Sequence, residues 1–180
     1  MIVCSELELK GVLLFESKIF EDSRGSFSEA YNSSYSNYIS KEIKFIQDNE
    51  SVSRYGVLRG LHFQNSPFEQ SKLVRVSKGE IQDIIVDIRR DSSTFGKYIS
   101  ILLSKDNGRQ VFVPKGFAHG FLTLSKEAIV NYKVDNKYSK EHESGIIYND
   151  KDLLINWKIE SKDLVISDKD LLLAPIKDLK

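Results

Sequence analysis

Three side chains able to move or stabilise a proton stand among apolar neighbours at strand spacing. His119 alternates with Phe117 and Phe121, Tyr132 with Val130 and Val134, and Lys72 with Val74 and Val76. Residues two apart in a strand share a face, so each group falls on an apolar, inward side. A buried polar group without a partner costs on the order of 1–3 kcal/mol, so each needs a partner or a purpose. Each also has an ordinary reading. Lys72, at a strand start, can snorkel to water; Tyr132 can be a core tyrosine with a bonded hydroxyl; His119 can be a satisfied core histidine. Arg59 and His62 pose a different problem, because a regular strand would set them on opposite faces. Gly60 lies between them, and a glycine inside a strand often marks a bulge that could turn both into one pocket.

Several proton-handling groups aimed into one barrel would favour a functional reading over three unrelated core residues. Other chemistries lack their residues. His62-Phe63-Gln64 has no second histidine two positions on, and His119 and His142 are far away in the chain, so no catalytic metal is expected. Cys4, the only cysteine, lies in the first few residues, where poor order is expected; a thiol nucleophile and a disulfide are not expected. There is no Gly-x-Ser-x-Gly elbow and no phosphate- or dinucleotide-binding glycine loop, so a bound nucleoside triphosphate or NAD site is not expected. Arg24, Arg54, Arg59, Lys72 and Arg75 supply cations, of which Arg54 and Arg75 read as a solvated face.

The elements that must carry these groups read as strands. Segments rich in Val, Ile, Phe and Tyr recur between short Gly, Asn, Ser and Asp clusters, the all-β sandwich or barrel pattern. The expected strands are Gly11–Phe15, Phe27–Tyr31, Lys44–Ser53, Leu58–Phe63 and Lys72–Ser77, then Ile81–Arg89, Tyr98–Leu103, Gln110–Val113, Ala118–Leu124 and Ala128–Val134. In Ile81–Arg89, the residues Ile84, Val86 and Ile88 form one apolar face. Asn32–Ser40 suits a short helix with an Asn or Ser cap, and Asp168–Leu173 a helical turn.

The 180 residues, with three prolines and no linker, suit one domain over 1–180. Lysine plus arginine and aspartate plus glutamate number 26 each, which speaks against a nucleic-acid coat. No stretch approaches a membrane span or a secretory signal, and a lone cysteine suits the cytoplasm.

The longer motifs carry a resemblance. They are Asp22-Ser23-Arg24-Gly25-Ser26-Phe27-Ser28-Glu29, Gln47-Asp48-Asn49-Glu50-Ser51, Leu58-Arg59-Gly60-Leu61-His62 and Gln70-Ser71-Lys72-Leu73-Val74-Arg75-Val76. Pro114-Lys115-Gly116-Phe117-Ala118-His119-Gly120-Phe121, Asn131-Tyr132-Lys133, Glu143-Ser144-Gly145-Ile146 and Ser167-Asp168-Lys169-Asp170 follow in order. From about residue 18 to residue 177 the chain resembles the dTDP-4-dehydrorhamnose 3,5-epimerase family. The resemblance implies a cupin-like jelly-roll β-barrel, with short C-terminal helical segments, that works as a homodimer without metal or organic cofactor on a nucleotide-linked 4-keto-6-deoxyhexose. Carried over residue by residue, His62 would be the base, Asp170 its partner, Tyr132 the acid on the opposite face and Lys72 the donor to the ketone oxygen. Arg24, Glu29, Gln47, Asp48, Asn49, Arg59, His119, Glu143 and Lys169 would bind substrate, with Arg24 and Glu29 coming from the partner subunit. Tyr138 would stack on the thymine. Lys151 and Lys158 stand where the family often has proline, which bears on loop stiffness. Relatives that invert only C3 or only C5 keep much the same residues.

Turnover should persist after exhaustive chelation. Loss of activity in EDTA that a divalent metal restores would overturn the metal-free reading.

Overall fold

Residues 2–179 are described in a computed structural model and contain thirteen strands, several of them alternating apolar and polar residues. Eight consecutive strands form the centre: β5 (Gln47–Arg54), β6 (Leu58–Gln64), β7 (Lys72–Lys78), β8 (Glu80–Asp87), β9 (Tyr98–Ser104), β10 (Arg109–Val113), β11 (Phe117–Thr123) and β12 (Glu127–Val134). They divide between two antiparallel sheets. One contains the order β10-β7-β12-β5 and the other β6-β11-β8-β9. Numbered one to eight along the chain, the orders are 6-3-8-1 and 2-7-4-5, which is the jelly roll of two interlocked Greek keys.

Accessory strands extend the sheets. β1 (Ile2–Glu6) and β2 (Leu13–Ser17) add beyond β10, and β13 (Glu143–Gly145) adds beside β6. β3 (Ile19–Asp22) and β4 (Gly25–Ser28) form a separate hairpin. β1, β3 and β13 lie outside the strands expected from alternation. Cys4 sits in β1 opposite Phe15, so the segment Ile2–Glu6 is paired rather than poorly ordered. Burial there pushes the thiol pKa up, which leaves less of the reactive thiolate. The expected helix near Asn32 is a single 3-10 turn over Ser33–Asn37, capped by the Asn32 side chain. The expected helical turn is α1 (Asp168–Leu171).

The main core lies between the sheets and includes Val74, Val76, Ile81, Ile85, Phe117, Phe121 and Val130. β8 is buried on both faces. Ile84, Val86 and Ile88 do share a face, but it is the outer one, packed against Leu61, Ile146, Leu153, Trp157 and Ile176. The irregular tail after residue 150 covers that face. Gln82 ties it down by donating to the Asn156 carbonyl and accepting from the Lys158 N–H. Asp150 accepts the N–H groups of Leu153 and Ile176. The tail then meets the start of β6, where the Leu58 N–H donates to the Val165 carbonyl and the Val165 N–H to the Gly56 carbonyl.

The β6–β11 register contains the irregularity that the Arg59–His62 spacing demands. His119 pairs with His62 and Phe121 with Arg59, so three steps on β6 face two on β11. Gly60 has φ +132°, and a Cβ there would lie 2.5 Å from the Gly120 Cα. The extra residue brings Arg59 and His62 to the same cavity. Gly60→Ala should therefore cost about 1–3 kcal/mol of stability, read by urea unfolding, and should depress activity because the bulge orients His62. An unchanged unfolding midpoint with full activity would contradict this account.

Candidate active site

The chain after Ile159 must reach the barrel mouth to build the site. Ser167 caps α1, its Oγ accepting the Asp170 N–H at 3.2 Å. This turn points Asp170 inward, where its side chain is 6% exposed. One carboxylate oxygen lies 2.8 Å from His62 Nε2, and the other accepts the Gly60 N–H at 3.2 Å. Burial opposes the charged form of Asp170. The bond and charge of His62, with the Gly60 and Ser167 bonds, outweigh it, and the carboxyl pKa lies below its usual value.

His62 opens into a cavity of about 550 Å³ between the two sheets, lined also by Arg59, Lys72, His119, Tyr132 and Lys169. His62 and His119 enter from one sheet, Lys72 and Tyr132 from the other. The inward faces read from alternation for Lys72, His119 and Tyr132 are the observed ones. The Lys72 ammonium lies 3.5 Å from the His62 carbonyl. Burial lowers its pKa to about 8, against the opposing pull of the Asp83 and Glu143 charges. Burial raises the Tyr132 pKa, with Arg59 pulling it down and Glu143 adding to the rise. Arg59 donates from Nε to Ser53 Oγ at 3.0 Å.

At the rim, Lys169 pairs with Glu143 at 2.6 Å, and the Tyr138 hydroxyl donates to the other Glu143 oxygen at 2.8 Å. Burial works against the Glu143 charge, but these two bonds and the Lys169 and His62 charges hold its pKa below the usual range. The remaining candidates lie apart. Arg24 is 87% exposed on the β3–β4 hairpin and pairs with Asp22; Glu29 is exposed just beyond it. Gln47 and Asn49 bond to each other on the edge strand β5, Asn49 opposite Tyr132. Asp48, between them, pairs with Lys133.

Asp83 was not among the residues singled out from sequence. It alternates with Ile81 and Ile85 in β8, the same parity that marks His119, and its Oδ2 lies 2.8 Å from His119 Nε2. Among the described residues, no group of three His, Cys, Asp or Glu is placed to hold a metal ion.

A jelly roll whose internal cavity joins a histidine–carboxylate pair to a lysine and a tyrosine belongs with the cupin-like barrels that act on small molecules. Comparison with known proteins narrows the class. The family model described as dTDP-4-dehydrorhamnose 3,5-epimerase matches residues 6–178. The dTDP-4-dehydrorhamnose 3,5-epimerase of Shigella flexneri is 47% identical over 165 residues, covering 91% of this chain and 90% of that one. A dTDP-6-deoxy-D-glucose-3,5-epimerase of Legionella pneumophila, solved with dTDP-4-keto-L-rhamnose, superposes with a TM-score of 0.95 at 39% identity, covering 100% and 95% of the two chains. A 3'-monoepimerase of Streptomyces bikiniensis, solved with dTDP, superposes at 0.89 with 27% identity, covering 96% and 86%. The chain belongs to the dTDP-4-dehydrorhamnose 3,5-epimerase family and is an epimerase.

The depressed Asp170 pKa has a stability consequence. Its contribution is fully present above the unfolded carboxyl pKa of about 3.9 and is lost as pH falls through the lower folded value. Wild type should exceed Asp170→Asn in unfolding free energy at neutral pH, and the gap should close in acid. A gap that persists or widens as pH falls would contradict this.

Proposed function

We propose that the protein inverts C3 and C5 of dTDP-4-keto-6-deoxy-D-glucose, giving dTDP-4-keto-L-rhamnose. The observation that carries the reading is the placement of His62 and Tyr132 on facing sheets around one cavity, with Lys72 beside them. The C4 ketone acidifies the hydrogens on both neighbouring carbons. His62 takes one of them; the C–H electron pair moves into the ring, and the ketone oxygen becomes an enolate. Asp170 at Nε2 fixes the tautomer that leaves Nδ1 as the base and stabilises the imidazolium that forms. Lys72, with a pKa of about 8, is mostly ammonium at neutral pH and bonds the enolate oxygen in a desolvated setting.

Inversion requires the returning proton to arrive from the other face. Tyr132 keeps its proton at neutral pH, as a tyrosine hydroxyl ordinarily does and as burial reinforces, and gives it to the carbon. Solvent then reprotonates Tyr132 and deprotonates His62, and the cycle repeats at the second carbon. Arg59, His119, Gln47, Asp48, Asn49, Glu143 and Lys169 bind the sugar and the diphosphate, and Tyr138 stacks on the thymine. Arg24 and Glu29 reach the site of a second subunit, so the working form is a homodimer; their exposure, on and just beyond the β3–β4 hairpin, supports this. The reading needs no metal or cofactor, and it places the enzyme in the cytoplasm, where Cys4 stays reduced.

Wild-type protein incubated with the 4-keto sugar nucleotide in D₂O should place deuterium at C3 and C5. Deuterium at one centre alone would make it a mono-epimerase, and none at either would refute the reading. His62→Asn should lower the rate by about 10²–10⁴-fold; a folded, fully active variant would remove His62 as the base.

A further inference from the structure

Beneath the cavity lies a second histidine–carboxylate pair. Asp83 is fully buried, at 0% exposure, on the inner face of β8. Its Oδ2 meets His119 Nε2 at 2.8 Å, while its Oδ1 has no hydrogen-bond partner. A buried carboxylate with a free oxygen is costly unless a positive charge balances it. His62 and His119 are cross-strand partners, yet their carboxylates differ. Asp170 comes from the tail at the cavity mouth and has both oxygens engaged, whereas Asp83 comes from the barrel wall and leaves one free.

We propose that Asp83 is a positioning residue: it holds His119 as the Nε2–H tautomer and supplies the buried negative charge that keeps Lys72 an ammonium while the enolate forms. In that tautomer His119 presents Nδ1 as an acceptor for a substrate hydroxyl. The Lys72 charge, which Asp83 favours, then offsets part of the cost of the buried carboxylate. The groups around Lys72 leave few other sources of that support. Asp83 and Glu143 favour its charge. Arg59 and Lys169, also lining the cavity, are cations and oppose it; Tyr132, neutral at neutral pH, and the His62 ring, whose carboxylate Asp170 is already committed, do not replace it. Asp83 thus acts through its neighbours rather than by touching the reacting carbons. The inference rests on Lys72 as the enolate's donor.

The test is the pH profile of kcat/KM for wild type and Asp83→Asn. An asparagine oxygen can accept the His119 N–H in the same place, so the substitution removes the charge and keeps the bond. The alkaline limb, set by loss of the Lys72 proton, should move to lower pH by roughly one unit, with the acid limb unmoved. An unmoved alkaline limb in the folded variant would overturn the proposal. Should Asp83→Asn fail to fold, ¹⁵N NMR of wild-type histidines decides. A neutral His119 with its proton on Nε2 at pH 7 is expected, and an imidazolium or an Nδ1–H form would overturn it. Wild-type deuterium uptake tests the underlying reading separately, since its absence would refute the epimerase mechanism without altering the His119 tautomer.

Discussion

The Asp170 carboxylate holds three parts of the molecule in register. One oxygen takes the N–H of Gly60 at the β6 bulge, the other meets His62, and the residue itself rides on a turn capped by Ser167. The bulge exists because Gly60 adopts φ +132° and β11 offers Gly120 opposite, where a side chain would collide. Without the extra residue, Arg59 and His62 would face opposite ways. Without the tail, the histidine would lose its carboxylate. The long irregular C-terminal segment therefore has a purpose beyond covering the outer face of the sheet: it delivers one oriented side chain to the cavity mouth.

Burial inside the jelly roll tunes the two other proton-handling groups in complementary ways. Desolvation favours the neutral form of any ionisable group, so it lowers the lysine and raises the tyrosine. For Tyr132, the acid of the proposed mechanism, this holds the proton more tightly, which keeps the group in its donor form but weakens it as an acid. For Lys72 it works against the proposed role, since a neutral amine stabilises an enolate poorly. The carboxylates Asp83 and Glu143 offset that loss and leave the ammonium dominant at neutral pH. The equal totals of acidic and basic residues conceal this arrangement, which depends on which charges face inward.

Much of the architecture was legible because strand parity is a strong local signal. Ten expected strands overlap observed ones, and parity set Lys72, His119 and Tyr132 on inward faces. The glycine between Arg59 and His62 announced the bulge, since no regular strand could serve both. Parity could not say which of two apolar faces looks inward: in β8 both are buried, and Ile84 and Val86 pack outward under the tail. Short strands such as β1 and β13 depend on partners distant in sequence and carry little pattern of their own. Asp170 lies 108 residues from His62, a contact no local rule reveals, and it entered through family resemblance. Asp83 was open to the parity argument that marked His119, yet an acidic residue between isoleucines passed as part of an apolar run.

The central claim is that protons leave on one side of the sugar and return from the other, with His62 and Tyr132 on those two sides. Deuterium uptake by a folded Tyr132→Phe variant tests it most directly. With the base intact and the opposing acid gone, His62 should exchange C3 or C5 hydrogens of the 4-keto sugar with D₂O while the recovered sugar keeps its starting configuration. Inversion by that variant at the wild-type rate would contradict the account.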